Sequence, residues 1–363
     1  GHILQFHLFN KFSSKIFVEK AYGRVNLMGR HIDHQGGYNN SCLIDRYIQI
    51  AMIHDYTMYP KITIVSELYN ESHVYDMRYL DDIPDKWTKY IIACLKYLEN
   101  NNILKLESGL IIKVDGDLPG GLGLSSSSAM IVATVKNLVN MFDIKMDPYD
   151  LIVLCGETEK LIGTIGGYGD HTVIMLGQPQ KIIKFTSRDK ISVDKIIDLP
   201  SELDISIFST GIKAEKGFEL KDLYNRKITL YKEGLDLINC ANMSEVSYDQ
   251  ILKINNDEIK KVIMYGFNEM ERAANFNKYI EFEDFIELGK LINKSQEDEN
   301  NLYGCSCPEA EKICEVANSI DKVYGAQICG AGMGGCVAVF HNNSIDVVQT
   351  MKDNGFKFIA SVL

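Results

Sequence analysis

Apolar residues recur along this chain in two rhythms, and the rhythm changes with position. Tyr47 to Ile53, Lys61 to Val65 and Leu110 to Val114 are short β-branched runs bounded by turn residues, which predicts strands. Trp87 to Leu98 carries its apolar residues at helical spacing. From Ser128 the residues Ile131, Val132, Val135, Leu138, Val139 and Phe142 return every three or four positions, the stripe of an amphipathic helix whose N-terminus falls at a run of serines. A second helix is expected from about Tyr149 to Leu161. After Ile182 strand-like segments return, then helices over Leu220 to Asn239, Asn256 to Ala273, Phe282 to Ser295 and Glu309 to Ser319. Two closing strands, around Ala326 to Ile328 and Cys336 to Phe340, are joined by a glycine loop. Strands and helices in mixed order without repeated βαβ units predict an α+β fold.

The chain has 363 residues, more than one ordinary domain holds, so two domains are expected, 1–195 and 196–363. A content of 46% apolar and 24% charged residues is that of a soluble globular protein. The N-terminal stretch GHILQFHLFNKFSSKIF is broken by Lys11 and Lys15 before a long apolar run builds, so no membrane span or signal peptide is expected there. A net charge of −11 argues against a surface that wraps nucleic acid. The nine cysteines lack paired CxxC spacing and a His-rich neighbourhood, and they read as reduced thiols of a cytoplasmic protein. Cys305 and Cys307 read as packing residues, not metal ligands.

Candidate chemistry concentrates in glycine-bearing segments. Between Gly23 and Tyr38, Arg24, Asn26, Arg30, His31, Asp33 and His34 stand among glycines, a density of hydrogen-bonding groups suited to a polyhydroxylated or charged small molecule. Leu118 to Ala129 then reads as a strand end, a loop with Gly120, Gly121 and Gly123, and four serines at a helix start. Backbone N–H groups there can turn toward one point, the helix N-terminus adds partial positive charge, and hydroxyls can hold a phosphate oxygen or Mg²⁺. This predicts a phosphate cradle at Gly121, Gly123, Leu124, Ser125, Ser126 and Ser127. It is not a Walker loop, because the lysine is absent. Ordinary N-capping would use one hydroxyl. Gly330 to Cys336 satisfies GxGxxG, yet a strand and not a helix follows, so a dinucleotide fingerprint is rejected; the glycines are expected to let backbone approach a ligand or another segment. Asp170, after Gly166, Gly167 and Gly169, is a candidate general base.

In this order the segments resemble the three motifs of the GHMP small-molecule kinases, most closely the galactokinase branch. Arg24 to Gly29 with His31 and Asp33 resembles R-V-N-L-I-G-E-H-x-D-Y, Pro119 to Ser127 resembles P-x-G-x-G-L-S-S-S, and Gly330 to Cys336 resembles G-A-G-x-G-G-C. Gly166 to Asp170, Tyr224 to Arg226 and Cys305 to Glu309 echo further segments of that branch. The resemblance implies a two-domain fold with the active site in the cleft between domains. It implies transfer of the γ-phosphoryl group of ATP, with Mg²⁺, to a sugar hydroxyl, with C1 of galactose or a similar sugar as the expected acceptor. It further implies Asp170 as catalytic base, Arg24 as the assisting arginine, and His31, Asp33, Tyr224 and Gly332 as sugar-site residues. A catalytically silent sugar sensor is the alternative from another class.

Three departures from the motifs bear on chemistry. His171 stands where the branch has Gln after its aspartate. The Mg²⁺-binding glutamate of the branch aligns on Thr158, so Ser127 is joined as metal ligand by Glu157 or Glu159, of which at most one faces the cation. Arg30 replaces a glutamate that resembles a clamp on the sugar's C6 hydroxyl; a cation there suits an acidic C6 group and a galacturonokinase, unless Arg30 pairs with a structural carboxylate.

Overall fold

The computed structural model describes residues 15–163, 166–214 and 218–363. Most of the N-terminal stretch weighed above, residues 1–14, lies outside the described residues, as do Thr164 and Ile165. Along the chain come β1 (Phe17–Met28), β2 (Asn39–Asp55), β3 (Lys61–Ser66), β4 (Glu71–Asp76), α1 (Lys89–Asn100), β5 (Gly109–Gly116), α2 (Ser126–Met141), α3 (Pro148–Leu161) and α4 (Gly169–Leu176). They are followed by β6 (Lys181–Thr186), β7 (Ser192–Asp198), β8 (Leu203–Ser209), α5 (Phe218–Leu237), α6 (Tyr248–Leu252), α7 (Asp257–Glu281) and α8 (Phe285–Asp298). A π-helical turn (Glu299–Tyr303) then leads to α9 (Pro308–Asn318), β9 (Val323–Ile328), β10 (Cys336–Asn342), α10 (Val347–Asp353) and β11 (Lys357–Ser361).

Contacts divide the chain into two compact units. The first gathers the described residues up to Gly23, Arg46–Pro119 and Ser125–Met175; the second gathers Arg24–Asp45, Gly120–Leu124 and Leu176–Leu363. This differs from a single cut after residue 195, because β1 and β2 are long and each passes from one unit to the other. The segment between them, with its cluster of polar residues, therefore folds with the C-terminal half.

In the first unit β2 pairs antiparallel with β5, β5 pairs parallel with β3, and β3 pairs antiparallel with β4. The register sets Ile50 opposite Val114, Met52 opposite Ile112, and Ile64 opposite Ile112. These side chains share one sheet face and are fully buried. Each contributes about 1.5–3 kcal/mol of burial, which is why the alternating pattern locates these strands. Helices α1, α2 and α3 pack on one another.

In the second unit the first residues of β2 pair with β6, which pairs with β7. A separate antiparallel sheet runs β11-β8-β10-β9. Phe208, Ile328, Val337 and Val339 from this sheet meet Ala310, Ile313 and Ala317 of α9 in a dry core. Ile44 bridges Val362, and the Leu363 amide donates to the Leu43 carbonyl, so the strand after the first polar segment is fastened to the chain's last residues. Among the described residues no helix is long and apolar enough to cross a membrane.

Candidate active site

At the glycine loop and the start of α2 the serine run does not cap its helix. Ser125 is the N-cap residue, in the left-handed region at φ 63°, and its side chain makes no capping hydrogen bond. Its Oγ is buried with no hydrogen-bond partner among the described residues. The first N–H groups of a helix lack intrahelical partners, so the serine and the helix start together leave donors for an anion. Within the second unit, residues 120–124 are braced from two sides. The Arg24 amide donates to the Leu124 carbonyl at 3.1 Å and Arg24 Nη1 donates to the Gly123 carbonyl at 2.8 Å. The loop at 330–335 packs backbone to backbone against the same segment: a Cβ at Gly330 would lie 3.1 Å from the Gly123 carbonyl oxygen, and one at Gly335 2.9 Å from that of Leu122. The closing glycines thus approach the glycine loop at 120–124 itself. Gly332, expected at the sugar, owes its lack of a side chain to Cys305, whose carbonyl oxygen would stand 2.0 Å from an added Cβ.

Three helices of the first unit converge on one carboxylate. Glu159 of α3 is buried and accepts from Ser127 Oγ at 3.1 Å, Ser128 Oγ at 2.7 Å and, from α4, His171 Nε2 at 2.8 Å. Glu157 instead accepts from the Tyr168 hydroxyl and from Lys160 Nζ at 3.2 Å. The Tyr168 hydrogen bond holds the Glu157 carboxyl below its ordinary range. Of the two glutamates, Glu159 is therefore the one that meets Ser127. The donor set is all oxygen and includes a buried carboxylate, which fits a small hard cation such as Mg²⁺. Asp170, read from the sequence as an aspartate held among glycines, stands half-buried in the first turn of α4, where the helix dipole favours a negative charge.

The first polar segment is fixed from beneath by a buried ionic network of the second unit. Glu269 Oε2 accepts from the backbone amides of Gly29 and Arg30, each at 3.3 Å, and Glu269 Oε1 accepts from Arg272 Nε at 2.7 Å. Arg272 Nη1 donates to Asp298 Oδ2 at 2.8 Å. Tyr265 donates its hydroxyl to the Arg30 carbonyl at 2.9 Å and Tyr231 to the His31 carbonyl at 3.2 Å. Arg30 itself corrects an expectation. Its guanidinium is 1% exposed and donates from Nη1 to the Ile328 carbonyl at 2.8 Å and Gln296 Oε1 at 3.2 Å, and from Nη2 to Ser295 Oγ at 2.9 Å. Burial disfavours its charge, but Glu299 and Glu269 outweigh that and raise its pKa. The Arg30 guanidinium is thus bonded to groups of the protein's interior, the structural pairing that the sequence held open beside a contact to C6.

His31 is held in a clamp that no local sequence pattern announces. The π-helical turn points both of its ends at the imidazole: Glu299 Oε1 lies 2.7 Å from His31 Nε2 and the Tyr303 ring stacks on it at 4.3 Å. Burial alone would raise the Glu299 pKa; His31 and Arg30 outweigh it and hold the carboxyl below its ordinary value. Asp33 sits half-buried in a short 3₁₀ turn, and Tyr224 meets His34 edge-on at 5.8 Å, so the Tyr224 segment and the first polar segment are brought together.

Family models for the GHMP kinases N terminal domain and the GHMP kinases C terminal match residues 89–178 and 273–354. The chain belongs to the GHMP kinases. The galactokinase galactose-binding signature matches residues 7–53, which places the chain on the galactokinase branch of that family. It is 27% identical to a galactokinase of Fusobacterium nucleatum, over 96% of this chain and 91% of the relative, and 28% identical to one of Pyrococcus furiosus, over 89% and 88%. Its fold is similar to that of Lactococcus lactis galactokinase complexed with galactose, with a TM-score of 0.86 at 20% identity over 99% of this chain and 98% of the other. Methanococcus jannaschii mevalonate kinase follows at 0.72 and 18%, over 96% and 99%.

Proposed function

We propose that the protein transfers the γ-phosphoryl group of ATP to the C1 hydroxyl of galactose or a closely similar neutral sugar. The observation that carries this reading is the uncapped start of α2, with its buried Ser125 hydroxyl unpartnered among the described residues, in a chain in which residues 7–53 match the galactose-binding signature. The glycine loop and Ser125 to Ser127 would receive the nucleotide phosphates. Ser127 and Glu159 would hold Mg²⁺, which when bound neutralises phosphate charge. Asp170 would take the proton of the attacking hydroxyl, and Arg24, already bonded to the loop at Gly123, would keep the loop in shape and stabilise the charge developing on transfer. Asp33, His31 and Tyr224 would address sugar hydroxyls, with His31 set in orientation by Glu299 and Tyr303.

ADP release measured with galactose, galacturonate, mevalonate and homoserine tests the reading. Galactose or another neutral hexose should support turnover. Asp170→Asn should bind ATP nearly as the wild type does while turning over roughly 100-fold more slowly or worse. Unimpaired turnover in that variant would remove Asp170 from the mechanism, and sugar binding without any ADP release would favour the sensor.

A further inference from the structure

We propose that His171 is a positioning residue for the cation-binding carboxylate, gripping Glu159 through its Nε2–H so that the oxygen beside Ser127 is presented in one fixed orientation. The inference rests on reading Ser127 and Glu159 as ligands of the nucleotide's divalent cation. The two carboxylate oxygens have different neighbours. Oε1 receives both Ser128 Oγ at 2.7 Å and His171 Nε2 at 2.8 Å, whereas Oε2 faces Ser127 Oγ at 3.1 Å. Two donors from different helices on one oxygen fix the plane of the carboxyl group, and groups that orient a metal ligand in this way commonly set its affinity.

The imidazole is suited to that task in a way its neighbours are not. Its side chain is 4% exposed, and Nδ1 is buried with no hydrogen-bond partner among the described residues, so the proton that matters is confined to Nε2, where Glu159 accepts it. The bond spans α3 and α4, the helix that also bears Asp170. This chain reaches the carboxylate with a rigid ring having two side-chain torsions. Less conformational freedom is lost in making the bond than with the longer, flexible amide side chain of a glutamine.

Three variants, each checked for cooperative thermal unfolding, test the proposal with Mn²⁺ as probe, its binding to the enzyme–ATP complex being followed by electron paramagnetic resonance. His171→Leu, similar in bulk and without a donor, should weaken Mn²⁺ binding roughly 10- to 100-fold and raise the Mg²⁺ needed for turnover, with the sugar KM unchanged. His171→Gln, which can donate across the same gap, should recover most of that loss. If the Leu variant does not fold, His171→Asn replaces it, since its shorter amide cannot span to Oε1 and should lose Mn²⁺ affinity likewise. A folded Leu or Asn variant that binds Mn²⁺ within twofold of the wild type overturns the proposal. Glu159→Gln separates the two levels. Loss of Mn²⁺ in Glu159→Gln with none in His171→Leu leaves the cation reading standing and removes His171, whereas no loss in Glu159→Gln removes the cation reading itself.

Discussion

A guanidinium with three hydrogen-bond acceptors inside the protein is costly to replace, and Arg30 is such a group. Substituting Arg30→Ala would leave Glu299 and Glu269 buried beside an emptied site, and removing one partner of a buried charged network commonly costs about 3–5 kcal/mol. The expected outcome is a urea midpoint shifted down by an equivalent amount with sugar preference unaltered; wild-type stability together with a changed preference between galactose and galacturonate would restore the substrate-reading role. The sequence announces an unusual cation at position 30 but not its direction, because the acceptors lie 265 to 298 positions further along the chain. The same distance hides Glu299 and Tyr303 from any reading of the His31 segment. Glu159 is the intermediate case: helical geometry requires a choice between it and Glu157, and only the placement of Ser127 makes that choice.

Among the elements, the strong apolar periodicities locate α1, α2, α3 and the middle of β2, β3 and β5, and they locate α7 and α9 to within a few residues except for the last two turns of α7. What they miss is short or irregular. The helix α4 follows a glycine-rich stretch and has eight residues, too few for a stripe to register, and β1, β4 and β11 carry weak alternation. The loop at 330–335 is legible as a glycine cluster, while its contacts are not, since GxGxxG says nothing about which backbone comes close. That contact gives a test by paired substitution. Gly332 and Gly355 both have positive φ, 83° and 88°, but an added Cβ meets the Cys305 carbonyl oxygen at 2.0 Å in the first and nothing within 4 Å in the second. Gly355→Ala should cost only the left-handed backbone penalty, about 1–2 kcal/mol. Gly332→Ala should cost distinctly more and should slow ATP turnover through the glycine loop at 120–124, which packs against the neighbouring Gly330 and Gly335. Equal losses of thermal stability in the two variants would show that the Cys305 carbonyl yields freely.

At the scale of the whole molecule, burial governs the thiols. Eight of the nine cysteines are buried and Cys307 is partly exposed, with none paired. Burial pushes the thiols of Cys42, Cys305 and Cys329 up to about 12, far from the thiolate form that reacts. A chromogenic aromatic disulfide at pH 8 should therefore modify at most Cys307 in the native protein and the remainder only after denaturation; several thiols reacting at once would mean that a unit opens readily. Cysteine spacing in the sequence says nothing of this depth. The interleaving of the two units is the feature least visible in the sequence, and it has a consequence in time. The segment Arg24–Asp45, with Val25, Leu27, Met28 and Ile44 destined for burial, leaves the ribosome early but belongs to a unit that β11 completes. At 5–20 residues per second it waits roughly 20–70 s for its partners. For that interval its apolar side chains have no native neighbours from the second half of the chain, so a short segment made long before its partners is the one that depends longest on being kept from aggregation.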